Sequence, residues 1–280
     1  MKDITVLAGI VTYNPEISRL RENIESIITQ VKQVIVVDNG SSNIGDIKKI
    51  IKNFERTVLV ELNENLGIAT ALNKIGEYAV QKEFDFFLTL DQDSVALPGL
   101  VAEYKKYLYL PNIGLLNSYQ KDRNLQEQPT INTEVLENRT MRTSGSFMKT
   151  STFNTGFKFD ERLFIDKVDF DMDMSLIRAG FHLYQIPYYG LLHEVGEISY
   201  HKFFGKKIIT YNHSSFRRYY ISRNSILLIK KYGFSWTNLY FLLGDFGKIV
   251  KTLLFEQKKW EKNKASFKGI WDGIRFRISD

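Results

Sequence analysis

The chain contains no cysteine. Disulfides, thiolate metal ligands and thiol nucleophiles are therefore excluded, and a reducing cytoplasm fits. Nor is there a stretch of about 18 uncharged apolar residues, so no helix spanning a bilayer is expected. The nearest candidate, WTNLYFLLGDFGKIVKTLLF at 236–255, is broken by Asp245, Lys248 and Lys251. The opening MKDITVLAGIVTYN has Asp3 inside its apolar run and no small-residue cleavage site, so it reads as a first strand and not a signal peptide. Internal repeats and low-complexity linkers are missing too. At 280 residues the chain buries a sizeable core without staples.

A net charge of +6 conceals an asymmetry. Residues 201–280 carry 17 Lys/Arg against 5 Asp/Glu, whereas residues 1–200 carry 21 against 27. A basic, aromatic-rich tail on an acidic body calls for a partner, and charge alone admits anionic lipid, diphosphate or nucleic acid.

The first half alternates strand-like and helix-like segments. ITVLAGIVTY (4–13), VKQVIVVDNGSS (31–42), TVLVELN (57–63) and FDFFLTL (84–90) are apolar runs that end in polar turns. Between them lie helical spacings at 14–30, 46–54 and 68–82, the first marked by Ile17, Leu20, Ile24, Ile27 and Ile28. Such alternation predicts an α/β fold with a mostly parallel sheet flanked by helices. Sites in these sheets form at the carboxyl ends of the strands. There the polar clusters fall: Thr12-Tyr13-Asn14, Asp38 to Ser41, Asn63 to Gly67, and Asp91 to Asp93. Beyond 100 the rhythm changes, and residues 117–140 are expected to form a mobile loop. Residues 169–180 read as a helix stopped by Gly180, and 211–233 as a long helix or a pair. The expected layout is a catalytic domain over 1–205 and a helical extension over 206–280.

LTLDQDS (88–94) sets Asp91 and Asp93 one residue apart at a strand end. Two hard oxygen ligands in that place suit Mg²⁺ or Mn²⁺ bound together with a diphosphate. An acidic surface turn would look the same, and it is the order of the surrounding motifs that favours the metal.

Together these parts resemble glycosyltransferase family 2, and within it the bacterial rhamnosyltransferases, over roughly residues 4–233. The resemblance implies the GT-A fold, a Rossmann-like nucleotide-sugar domain. VTYNP (11–15) resembles the opening motif, which places Thr12, Tyr13 and Asn14 against the nucleotide. VVDNGSS (36–42) resembles the second, in which Asp38 accepts the N3–H of uracil or thymine. NENLGIATALNKIGEYA (63–79) resembles the third, with Asn65, Gly67 and Asn73 lining the donor pocket. In the metal motif Asp93 is the expected direct ligand, with Asp91 beside it. LFIDKVDFDMDMSLIRAGF (163–181) resembles the acceptor-side motif and puts Asp169 at the catalytic base, with Asp166 as the alternative. Ser175 and Asp173 depart from the pattern, since many relatives have Arg or Lys at the first and an apolar or small residue at the second. LLHEVGE (191–197) resembles a His-x-x-Gly segment in which His193 completes the metal site or contacts the diphosphate. FRRYYISRN (216–224) offers Arg217, Arg218 or Arg223 to a diphosphate.

The resemblance thus implies an inverting, metal-dependent transferase using dTDP-β-L-rhamnose. The acceptor would be a glycan or lipid-linked glycan, with the enzyme cytoplasmic and peripheral on the inner membrane face. Donors such as UDP-galactofuranose or UDP-GlcNAc remain alternatives. A sugar nucleotidyltransferase would need a Gly-rich basic loop that VTYNPEIS lacks. A tail that docks nucleic acid would leave the carboxylates at strand and helix ends unexplained, so no nucleic acid is expected. Leu242, Phe246, Ile249, Leu253 and Trp260 follow helical spacing among lysines, which suits a helix in the membrane interface, or else packing on the catalytic domain or on a second subunit of a homodimer.

Overall fold

The computed structural model describes residues 4–125, 127–193, 199–203, 205–234 and 236–277. The chain divides into two compact units. One comprises Met1–Arg162 with Val168–Glu194; the other comprises Leu163–Lys167 with Val195–Asp280.

The first unit runs β1 (Val6–Thr12), α1 (Ile17–Ile28), β2 (Gln33–Asn39), α2 (Ile44–Ile51), β3 (Thr57–Leu62), α3 (Ile68–Gln81) and β4 (Phe86–Asp91). It continues through β5 (Val95–Ala96), α4 (Leu100–Lys106), β6 (Ile113–Asp122), β7 (Leu136–Asn138), β8 (Phe147–Lys149), α5 (Thr150–Asn154), α6 (Val168–Arg178) and β9 (His182–His193). One sheet takes the order β3-β2-β1-β4-β8-β6-β9-β5, with β7 added on β9. The strands β3, β2, β1 and β4 are mutually parallel. Leu7, Ala8 and Ile10 of β1 and Val34 to Val37 of β2 are buried, as strands covered on both faces require. From α1, Leu20, Ile24 and Ile27 complete one cover at helical spacing. On the antiparallel side Phe147 stacks between Phe86 and Tyr104, at centroid distances of 4.7 and 5.0 Å.

The expected loop at 117–140 is corrected in part: residues up to Asp122 belong to β6, and β7 lies within the rest. Polar residues inside the sheet hide the strand from a hydrophobic pattern. Asn117 and Ser118 are both buried, and Asn117 donates through Nδ2 to the Arg142 carbonyl at 2.7 Å.

The longer piece of the second unit opens, among its described residues, with an antiparallel hairpin of β10 (Ser199–Phe203) and β11 (Lys206–Thr210). Three helices follow: α7 (Ser215–Tyr232), α8 (Trp236–Phe255) and α9 (Lys259–Arg275). The extension is therefore a hairpin plus helices. Ser214 caps α7 by accepting from the Arg217 N–H. A Cβ built on Gly269 of α9 would lie 2.2 Å from the Tyr219 carbonyl oxygen, and one on Gly273 2.9 Å from that of Arg223. The two helices thus meet backbone to backbone, four residues apart.

The segment Leu163–Lys167 is a chain detour into this unit. Phe164, Asp166 and Lys167 all have left-handed φ, of 64°, 62° and 66°, which costs a non-glycine residue about 1 kcal/mol or more each. The offset comes from α7. The fully buried Asn224 Nδ2 lies 2.8–2.9 Å from the carbonyls of Leu163, Ile165 and Asp166, and Phe164 stacks on Tyr220 at 5.0 Å. Lys167 reaches Asp245 of α8 at 3.2 Å.

Close helix contact makes a contrast within this unit testable. Gly269→Val should lower its unfolding free energy by about 3 kcal/mol, because a backbone oxygen cannot move aside. Gly244→Ala, with nothing within 4 Å of its Cβ, should be neutral or stabilising by up to about 1 kcal/mol. Equal thermal shifts for the two variants would contradict this packing.

Candidate active site

Three loops at the carboxyl edge of β1, β2 and β3 are joined by side-chain hydrogen bonds. Asp38, at the end of β2 and 1% exposed, accepts from Thr12 Oγ1 at 3.0 Å, from the Ser41 N–H at 2.9 Å and from Ser41 Oγ at 2.5 Å. Asn14 has left-handed φ; its N–H donates to Ser41 Oγ, and its Oδ1 accepts from the N–H and hydroxyl of Ser42. Asn39 Nδ2 donates to Asn65 Oδ1 at 2.9 Å, while Asn39 Oδ1 accepts from the Leu66 N–H. Gly40 makes this possible, since a Cβ there would sit 2.5 Å from the Glu64 backbone. Asn65 Oδ1 also accepts the Gly67 N–H, and Gly67 leads into α3 without a side-chain cap.

The carboxamide oxygens of Asn14 and Asn65 are thus engaged in building the loops. Asn73 is turned elsewhere. Buried on α3, it bonds the N–H and carbonyl of Phe159 and the Glu161 carboxylate, pinning the 156–161 turn. Tyr13, 47% exposed, offers an open aromatic face beside this network.

The Asp-x-Asp turn is anchored from three sides. The Asp91 N–H donates to Ser144 Oγ, the Asp91 carbonyl accepts from Asn23 Nδ2 at 2.7 Å, and Gln92 Oε1 accepts the Tyr13 N–H at 2.8 Å. Gln92, Ser144 and Asn23 are supports that the sequence reading did not single out. Asn23 had a signal, a polar residue fully buried within the apolar stripe of α1. Asp93 Oδ1 and His193 Nδ1 stand 3.9 Å apart at the ends of β4 and β9. Among the described residues no three acidic or imidazole side chains form a metal cage. Mg²⁺ is usually held by one or two carboxylates together with substrate phosphates and waters, so binding of that ion does not require a cage of protein ligands. Gly196, the glycine of the His-x-x-Gly spacing, lies outside the described residues.

Asp169 occupies the first turn of α6, and its Oδ1 accepts the Phe170 N–H at 2.8 Å. The helix dipole there favours the ionised form. Asp173, one turn on and 1% exposed, accepts the Met141 N–H at 2.6 Å. Burial pushes its carboxyl well above the usual carboxylate range; that hydrogen bond opposes the shift and the Asp169 charge adds to it.

The alternative base and the three arginines belong to the second unit. Asp166 is held by Arg217 through two bonds of 2.5 and 3.2 Å. Arg218 is corrected from diphosphate ligand to buried structural cation. It is 4% exposed and pairs with Glu256 at 2.6 Å, and Lys262 takes the other Glu256 oxygen at 2.8 Å. Arg223 stacks on Tyr220 and donates to the Leu163 carbonyl at 3.1 Å. Burial, with Arg217 beside it, pushes the His213 imidazole down to about 4, so it adds no charge to this cluster at neutral pH.

A family model described as Glycosyl transferase family 2 matches residues 8–164. Among characterised proteins, the chain is 29% identical over 300 residues to the dTDP-rhamnosyl transferase RfbF of Shigella flexneri, covering 96% of this chain and 95% of that protein. Among solved structures it is similar to S. aureus TarS 1–349, with a TM-score of 0.62, 13% identity and coverage of 97% and 81% of the two chains. The same protein in complex with UDP-GlcNAc gives a TM-score of 0.64 at 15% identity and the same coverage. At such identity the likeness shows the fold.

Raised in the folded state, the Asp173 carboxyl gives a signed prediction. Native protein binds more protons there than unfolded chain once pH exceeds about 4, so this group's contribution to stability falls as pH rises. Asp173→Asn keeps an acceptor for the Met141 N–H and removes the ionisation. The variant should gain stability over wild type between pH 4 and 8 in denaturant titrations. A difference independent of pH would refute the assignment.

Proposed function

The chain belongs to glycosyltransferase family 2, and on that premise we propose that it transfers L-rhamnose, with inversion, from dTDP-β-L-rhamnose to a hydroxyl of a surface glycan. The observation that carries the choice of donor is the match to a dTDP-rhamnosyl transferase along nearly the whole of both chains. The base of the nucleotide would lie against Tyr13, with Asp38 accepting the thymine N3–H. Three of about four acceptor sites on that carboxylate are already filled, which leaves one on Oδ2 for a ring donor.

Asp169 would act as general base. As the acceptor oxygen bonds to the anomeric carbon, its proton passes to the Asp169 carboxylate. The bond from that carbon to the diphosphate oxygen breaks on the opposite face, dTDP departs, and the β-linked donor yields an α-linked product. Asp93 with His193 would hold a Mg²⁺ or Mn²⁺ ion on the diphosphate, whose charge would offset that of the leaving group. Among the described residues no helix is long and apolar enough to cross a membrane. A lipid-linked acceptor would therefore be met by peripheral contact at the inner membrane face.

Asp169→Asn preserves shape and removes basicity, so transfer should fall by at least about 100-fold while donor affinity stays within a few-fold. Transfer near the wild-type rate would reassign the base to Asp166.

A panel of nucleotide sugars tests the donor side. dTDP-rhamnose should be turned over in preference to UDP-galactofuranose and UDP-GlcNAc, and GDP should compete far more weakly than dTDP. EDTA should inactivate reversibly, and Asp93→Ala should weaken donor binding and turnover together. Full activity in EDTA would remove the metal from this reading, and equal competition by GDP would remove Asp38 from base recognition.

A further inference from the structure

The last two helices are built inside out. Around α8, among the described side chains (242 onward), the buried positions are Asp245, Ile249, Thr252 and Glu256, three of them polar or charged. Its outward line is Leu243, Phe246, Val250 and Leu254, at intervals of three or four residues and 45–62% exposed. In α9 the buried positions are Lys262, Asn263, Ser266, Gly269 and Gly273. Outward stand Trp260, Phe267, Trp271 and Ile274, each more than half exposed. A water-facing helix has the reverse arrangement, with its apolar stripe turned to the core. Small and polar residues between helices, with large apolar ones outside, characterise packing where the surroundings are themselves apolar.

The sequence-derived stripe is corrected in register here. Ile249, expected on the interface face with Leu242 and Leu253, is 5% exposed, and the apolar line that reaches the surface runs through Leu243, Val250 and Leu254. The buried charges set this rotation. Asp245 is tied to Lys167, Lys248 and Ser225, and Glu256 to Arg218 and Lys262, so that side of α8 is the inward one.

Charge selects the occupant. Exposed Lys251, Lys258, Lys259, Lys264 and Lys268 flank the apolar lines, in a region with a surplus of 12 positive charges. Two such surfaces facing each other would repel, whereas anionic headgroups would neutralise them. Arg275 lies over the Trp271 ring at 4.3 Å, an arrangement that lets the ring enter an interface while the guanidinium stays at headgroup level.

We propose that the outward faces of α8 and α9 are a docking surface for an anionic lipid leaflet. Leu243, Phe246, Val250, Phe267 and Trp271 enter the boundary between headgroups and acyl chains, and the lysines engage lipid phosphates. The assignment gives residues to the peripheral contact proposed above and rests on that reading only for which membrane is met; the surface itself follows from burial and charge.

Flotation of the full chain with vesicles tests it, without donor or acceptor. Wild type should rise with vesicles of equal parts phosphatidylglycerol and phosphatidylcholine at low salt, and stay below with phosphatidylcholine alone. Binding should weaken as salt is added. The triple substitution Phe246→Ser, Val250→Ser, Trp271→Ser should reduce partitioning about 10-fold or more. Its residues are exposed, so circular dichroism and donor hydrolysis should match wild type. A conservative companion, Lys258→Gln with Lys259→Gln and Lys264→Gln, should lose binding to the anionic vesicles while remaining monomeric. The proposal is overturned if wild type ignores anionic vesicles at low salt, or if the triple variant binds as well as wild type. It is also overturned if sedimentation shows a wild-type dimer that the variant abolishes, which would make the stripe a contact between copies. A protein that floats but transfers no rhamnose leaves this surface intact and defeats the donor assignment instead.

Discussion

A parallel sheet delivers its chain to one edge several times in succession, and at that edge the backbone leaves the ladder with donors and acceptors unfilled. Everything at the candidate site depends on how those groups are satisfied. Here short polar side chains do it across loops. Asp38 gathers Thr12 and Ser41, Asn14 reaches Ser41 and Ser42, and Asn39 and Asn65 bridge to the turn that opens α3. Gln92 and Asn23 extend the same logic to the Asp-x-Asp turn. A carboxylate among such loops is fixed by the very contacts that hold the loops. In the proposed reading, recognition of a base and rigidity of the edge would be one property, and residues such as Asn14 would serve the nucleotide by holding its surroundings.

The parallel half was legible because its signals agree. Buried strands read as continuous apolar runs, helices show 3.6-residue spacing, and polar turns separate them, so β1 to β4 and α1 to α3 fall where pattern places them. The other half obeys different rules. β6 carries Asn117 inward because the Arg142 carbonyl and the Ser146 hydroxyl accept from its carboxamide, and no hydrophobic alternation survives to announce the strand. The hairpin of β10 and β11 is a local pairing within a segment whose charge drew attention first. At the site, residue types and order were readable while partners were not. Nothing in spacing distinguishes an asparagine that faces a pocket from one, such as Asn73, that pins a neighbouring turn.

The arginines of α7 illustrate the same limit. Three lie within seven residues, and each has a different fate: Arg217 on Asp166, Arg218 in a buried triad with Glu256 and Lys262, and Arg223 on Tyr220 and the Leu163 carbonyl. A buried carboxylate between two cations is costly to desolvate and costlier to break. That makes Glu256 a determinant of how α8 is rotated, and the rotation decides which residues meet solvent. Helical spacing alone puts Ile249 on the outward line of α8 and misses Leu243, Val250 and Leu254, because ion pairs as well as apolar area orient the helix.

The chain passes from one unit to the other three times: at Arg162, at Lys167 and at Glu194. The second unit is thus assembled from two pieces of sequence, and the shorter piece, 163–167, ends where the helix bearing Asp169 begins. A single splice cannot exchange this unit between proteins as a cassette. A graft of residues 195–280 alone would import Asn224 without the carbonyls it clamps, and would leave the three left-handed residues of 163–167 behind without their support. Descent would meet the same obstacle: the five-residue insert and the distant helix that holds it must change in step, so divergence in this region is expected to be paired rather than independent.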